Sequence, residues 1–175
     1  AFWIQTFIGT YISAWHIAIE DAKKKKGFLP VIFNEMMLFQ IIQLGLVLLI
    51  FLNFGLTITA YFILAAFLGA ILLETVNYIE HYGLLRTKKS SGRYERVSEI
   101  HSWNSNHVIG RILLYELTRH SDHHYRTTKK YQVLECHKES PQMPFGYPTS
   151  MVLALLPPLW FSIMNKRVPR EMISL

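Results

Sequence analysis

From Met36 to Leu73 the chain runs 38 residues without one charged side chain. Such a run does not fit a water-facing element, so it constrains the fold more than any other feature of the sequence. One crossing of a bilayer needs about 20 apolar residues as helix, which leaves room here for two crossings with a tight reversal between them. Asn53-Phe54-Gly55 is the natural place for the turn. The pattern predicts spans over 36–52 and 56–73, each roughly 25–27 Å long at about 1.5 Å per residue. Spans of that length are slightly short and suit a thin or locally deformed bilayer. A single long helix buried in a soluble core is the alternative.

Charge agrees with the membrane reading. Lys and Arg are absent from residues 27–85, whereas residues 86–175 hold 14 of the 18. A reversal returns both ends of the apolar run to one side, where Lys23–Lys26 flank one end and the basic half follows the other. Cationic segments favour the cytoplasmic side, so both are expected there. The expected fold is all-α, a partial helical bundle in three parts. Residues 1–26 form a helix at the membrane interface or against other protein, ended by Gly27 and Pro30. Residues 36–73 form the transmembrane hairpin. Residues 74–175 form a cytoplasmic metal-binding region with a short apolar segment, 151–164, that contains Pro157-Pro158 and is too short to span.

Within that last region a helix is expected to start at Ser105 or Asn106, both good N-caps, and to run through His124. Residues 126–150, with Pro141, Pro144, Gly146 and Pro148, are expected to be mostly irregular. The single Cys136 excludes an intramolecular disulfide and reads as a buried free thiol. The net charge of +6 suits anionic lipid, nucleic acid or an acidic protein, but no aromatic-basic RNA motif or zinc-finger spacing is present. Nucleic acid is therefore set aside.

The chemistry concentrates in Arg119-His120-Ser121-Asp122-His123-His124. Residues three and four apart share a helix face, so His120, His123 and His124 can converge, and imidazole suits iron, zinc, copper and nickel. A solvated polar face is the plainer alternative. Asn77-Tyr78-Ile79-Glu80-His81-Tyr82-Gly83 follows the second apolar span. There His81 either ligates a metal or ends the helix in water, and Glu80 can orient an imidazole or a bound water. His101 and Asp122 are further candidates for contacting a ligand from behind, although His101 and His107 fit a structural role better. His16 reads as packed or interfacial, His137 as solvated, and Glu116 as facing either the site or water. No nucleophile elbow and no phosphate-cradling glycine loop occurs.

Taken together, NYIEHYGLLR at 77–86, GRYERV at 92–97, HSWNSNH at 101–107 and RHSDHH at 119–124 resemble the membrane alkane 1-monooxygenases, within the larger group of membrane fatty acid desaturases and hydroxylases. SPQMPFGYP, LPPLWFSIMN and the opening SAWHIAIE extend the resemblance over essentially the whole chain. It implies a cytoplasm-facing, histidine-built di-iron site in the bacterial inner membrane. There, O₂ would hydroxylate the terminal methyl of an n-alkane, with electrons from rubredoxin, its reductase and NADH. The matching positions imply His81, His120, His123 and His124 as iron ligands, with no catalytic residue beyond them. The family's two earlier histidine words, which would supply five more ligands, are not in the chain. It is therefore expected to be a C-terminal portion, inactive alone. Thr118 and Gly110 depart from the family pattern, and the basic surface would suit an acidic electron donor.

Overall fold

The computed structural model describes residues 2–25 and 34–173. Among them the chain is helical and contains no strand, only two isolated bridges, Lys88 with Tyr94 and Asn104 with Gln142. The helices are α1 (Phe2–Lys24), α2 (Glu35–His81), α3 (Val108–Leu113), α4 (His120–Tyr125), α5 (Tyr147–Ala154), α6 (Pro157–Met164) and α7 (Arg170–Ile173), with single 3-10 turns at Glu99–His101 and Tyr131–Val133. The expected break at Gly27 and Pro30 lies outside the described residues. The chain divides into two compact units, 1–74 and 75–175.

In the first unit, α2 is long and apolar enough to cross a membrane, with a mean hydropathy of 2.3 over its best window. Asn34 starts it as an N-cap, its Oδ1 accepting the Met37 amide at 3.0 Å. Leu, Ile, Phe and Ala then sustain it, and its large side chains face outward. Gly55 breaks the helical path with φ 76° and ψ 179°, a conformation essentially restricted to glycine. Polar side chains sit on either side of the break. Asn53 Nδ2 donates to the Leu49 carbonyl at 2.8 Å and Thr59 Oγ1 to the Gly55 carbonyl at 2.9 Å. Such partners are needed where no water reaches the backbone.

The helix path bends back at this glycine. Tyr11 of α1 donates to Gln40 at 3.4 Å, while Phe7 and Ile8, about one turn earlier, line a cavity with Phe67 and Ala70. A straight helix would separate Gln40 from Phe67 by about 40 Å, too far for neighbouring turns of α1 to reach both.

The second unit is built differently. Its core gathers Ile79, Leu84, Trp103, Met143, Tyr147, Trp160 and Met164 around the end of α2. The segment 102–105 threads the centre, fully buried. Trp103 donates its amide to the Glu80 carbonyl and its indole N–H to the Tyr82 carbonyl, both at 2.8 Å. Asn104 donates its amide to Pro141 at 2.8 Å, receives the Met143 amide at 2.7 Å, and accepts the Ser121 amide on Oδ1 at 2.9 Å. Gly83 turns the chain out of α2 at φ +69°, where a Cβ would lie 2.6 Å from Val168 Cγ2.

Two expectations fail here. The helix over 105–124 is two short helices, and neither Ser105 nor Asn106 caps it, since His107 precedes α3 and Arg119 precedes α4. Tyr115 and Glu116 take left-handed backbone angles, φ 52° and 63°. Arg111 holds that turn with two 2.8 Å hydrogen bonds to the Glu116 carboxylate, so Glu116 faces arginine rather than the histidines. Cys136 is half-buried rather than buried.

Candidate metal centre

Three of the singled-out histidines meet. A nitrogen from each of His81, His120 and His124 lies within 4.8 Å of the others. The ring centroids of His120 and His124 are 4.4 Å apart, and each lies 5.1 Å from that of His81. Two elements bring them together. His81 is the last residue of α2, and His120 and His124 are one turn apart on α4, which the Asn104–Ser121 hydrogen bond holds in place. His123 does not join the close group. Its ring stands 5.9 Å from His120 and 5.6 Å from His124, as expected for a residue one step around the helix from His124.

The Nδ1 atoms are occupied from behind. His81 Nδ1 donates to the His101 carbonyl oxygen at 3.4 Å, with Ser102 Oγ at 3.5 Å. His120 Nδ1 lies 3.2 Å from Glu80 Oε1. The two Nε2 atoms are thereby turned toward each other, 3.3 Å apart. With both protons held on Nδ1 these are two lone pairs facing one another, an arrangement that a cation relieves. Two imidazoles bound to one ion at about 2.1 Å, with an angle of roughly 100° between them, would have this separation. The donor set therefore fits a metal that takes nitrogen ligands, and iron is one.

Electrostatics favour the ligating form of the rings. Burial first, then the neighbouring His124, His81 and His123, push His120 down to about 2. Burial, then His81 and His123, push His124 down to about 4. Both imidazoles are neutral near pH 7, as metal binding requires. A cavity of about 370 Å³ opens on the cluster, lined by His81 and His124 with Leu84, Arg86, Tyr94 and Val97 among its walls.

The candidates for contacts from behind divide. Glu80 reaches His120. His101 serves through its backbone carbonyl, because its ring is used elsewhere: Nδ1 accepts the Ser98 amide at 3.0 Å and Nε2 donates to Glu95 at 3.1 Å. Asp122 points away from the rings, fully buried, receiving Lys129 Nζ at 2.6 Å and the Glu135 amide at 2.8 Å, with His137 Nε2 at 3.0 Å. Its burial alone would raise this carboxyl, and the contacts from His137, Lys129 and Glu135 together outweigh that and hold it at about 2. His137, expected to be solvated, is thus engaged with a buried carboxylate. In the sequence Tyr147 and Ser102 stand only as members of the words SPQMPFGYP and HSWNSNH, with no role of their own, yet Ser102 lies at the His81 ring and Tyr147 at Glu80.

Fold and site together define a helical, membrane-type protein whose long apolar helix ends in a cluster of imidazoles able to hold a metal ion. The chain belongs to the fatty acid desaturase family, whose profile matches residues 1–152. It is 41% identical over 164 residues to alkane 1-monooxygenase 2 of Alcanivorax borkumensis, covering 94% of this chain and 43% of that protein. It is 43% identical over 160 residues to alkane 1-monooxygenase 1 of Pseudomonas aeruginosa, covering 90% and 41%. Over 100 residues, 57% of this chain and 26% of the relative, it is 35% identical to the xylene/toluene monooxygenase hydroxylase component of Pseudomonas putida. The chain spans about two fifths of the length of the alkane monooxygenases it matches.

Proposed function

We propose that this chain is the C-terminal portion of an integral-membrane alkane 1-monooxygenase, which converts n-alkanes and O₂ to 1-alkanols at a histidine-built di-iron site. The observation that carries the reading is the convergence of His81, His120 and His124 in a chain 41–43% identical to alkane monooxygenases. His123, next to the cluster, is the fourth ligand in this reading. The remaining ligands come from a part of the protein outside this sequence, and rubredoxin is the electron donor. Both apolar legs of α2 cross the bacterial inner membrane, with the basic second half in the cytoplasm.

A terminal C–H bond offers no handle to acids or bases, so bound iron would supply the O₂ chemistry that the side chains cannot. The chain's own residues do the rest. Burial keeps His120 and His124 neutral and able to ligate. The His101 carbonyl and Glu80 fix which nitrogen of His81 and His120 faces the metal. His81 follows the apolar run on the same helix, which suits a substrate that dissolves in lipid.

The test uses the complete native protein. Its iron content is measured, and its products are analysed after exposure to octane, hexadecane and xylene. 1-Octanol or 1-hexadecanol from iron-loaded protein, with both iron and product lost in His120→Ala, is the expected result. Product without bound iron, or full activity in His120→Ala, would overturn it. Benzylic alcohol from xylene without alkanol would favour an alkylaromatic hydroxylase, the second reading, which rests on the likeness to the xylene/toluene enzyme.

A further inference from the structure

We propose that Tyr147 is a positioning residue for the metal centre, acting through Glu80 on His120. The inference rests on the metal-binding reading above and assigns a role there to a residue 67 positions from Glu80 in sequence.

Tyr147 has no exposed surface and lies in the core of the second unit. Its hydroxyl donates to Glu80 Oε1 at 2.8 Å. The same oxygen lies 3.2 Å from His120 Nδ1, and His120 Nε2 in turn faces His81 Nε2. One Glu80 oxygen thus joins the phenol to the imidazole. The terminal torsion of a Glu carboxyl is broad and roughly two-fold, so with a single partner it can turn. With the phenol on Oε1, rotation would break a buried hydrogen bond, and the oxygen stays at the ring nitrogen it orients. Burial first, and then Glu80, push the phenol well above its ordinary range, so it remains a donor throughout the working pH range.

Two glycines lie at van der Waals distance around the backbone that carries Tyr147. Gly146 precedes α5, and a Cβ there would come within 3.4 Å of His107 Cβ. A Cβ at Gly110 would lie 3.8 Å from the Tyr147 amide nitrogen. Pro148 occupies the start of the helix, where its preset φ favours the helical path.

The experiment titrates the metal-free complete protein, in detergent, with Fe(II) and separately with Co(II) against a competing chelator. Wild type is compared with Tyr147→Phe, Glu80→Gln and the double variant. Tyr147→Phe keeps the ring and removes only the donor, so its thermal unfolding should drop by no more than the loss of one buried hydrogen bond explains. Its metal affinity should fall about 10- to 100-fold, the usual effect of losing a group that orients a ligand, and the Co(II) ligand-field absorption should shift. Because Tyr147 acts through Glu80, the double variant should bind no more weakly than Glu80→Gln alone. Unchanged affinity and spectrum in Tyr147→Phe would overturn the proposal. So would a loss of affinity that only tracks a lower unfolding temperature, or two losses that simply add. Wild-type protein that binds neither metal would overturn the metal-binding reading itself, and the role of Tyr147 with it.

Discussion

In residues 1–74 the large apolar side chains face outward, and the side chains of Asn34, Asn53 and Thr59 bond within about one turn of α2, while Gln40 accepts from Tyr11 of α1. In residues 75–175 the pattern inverts. Asn104, Ser121, Asp122 and Ser140 are buried and hydrogen-bonded to partners distant in sequence. Backbone that meets its hydrogen bonds within one helix suits lipid as solvent. The second unit has tied irregular chain to irregular chain, which is what placing several imidazoles at one point demands. The end of α2 supplies one candidate ligand position, and the short helix α4 supplies the others.

The sharpest break in this contrast is Trp103→Ala in the complete protein. It empties the centre of the second unit and removes the N–H that holds Tyr82, so it should cost about 3–5 kcal/mol by unfolding in detergent. Leu64→Ala, on the outward face of α2, should change the same measurement by less than about 0.5 kcal/mol. Equal losses would show that this leg packs on protein rather than lipid. Next comes charge. Leu64→Arg should disfavour membrane insertion by about 2.5–3.5 kcal/mol in a translocon assay, and unchanged insertion would remove the membrane reading of 56–73.

The smallest effect concerns acid. The Asp122 carboxyl is held at about 2, below its ordinary 3.8, so its folded form is depressed relative to the unfolded chain. The stability it contributes is complete above pH ~4 and lost as pH falls toward ~2, on the order of 2 kcal/mol. Metal-free Asp122→Asn should start less stable at neutral pH and show a flatter acid limb. A limb as steep as that of wild type would place the acid sensitivity elsewhere.

Much of the frame was legible because it is written in long, repetitive patterns. A charge-free run and a glycine beside Asn53 mark where α2 is sustained and where it breaks. The spacing of His120 and His124 marks one face of a helix turn. The rest depended on single long-range contacts. The left-handed turn at Tyr115 and Glu116 has no glycine or proline to announce it. Its cause is the Arg111 side chain returning to Glu116, with Arg119 bonded to Asn106. His137 sits in a charged stretch that looks solvated until Asp122 arrives from fifteen residues away. Tyr147 is one of nine tyrosines, and the word SPQMPFGYP that contains it does not say that its hydroxyl reaches Glu80.

The Tyr147–Glu80 hydrogen bond spans 67 residues, which sets an order of events during synthesis. At roughly 5–20 residues per second, Glu80 and His81 leave the ribosome about 3–13 s before Tyr147 does. Once His120 has followed, its imidazole still lacks the hydrogen bond from Tyr147 that fixes Glu80 beside it. In the proposed metal centre, ion capture would then be a late step that follows synthesis of Tyr147, and an ion arriving earlier would meet ligands still free to let it go.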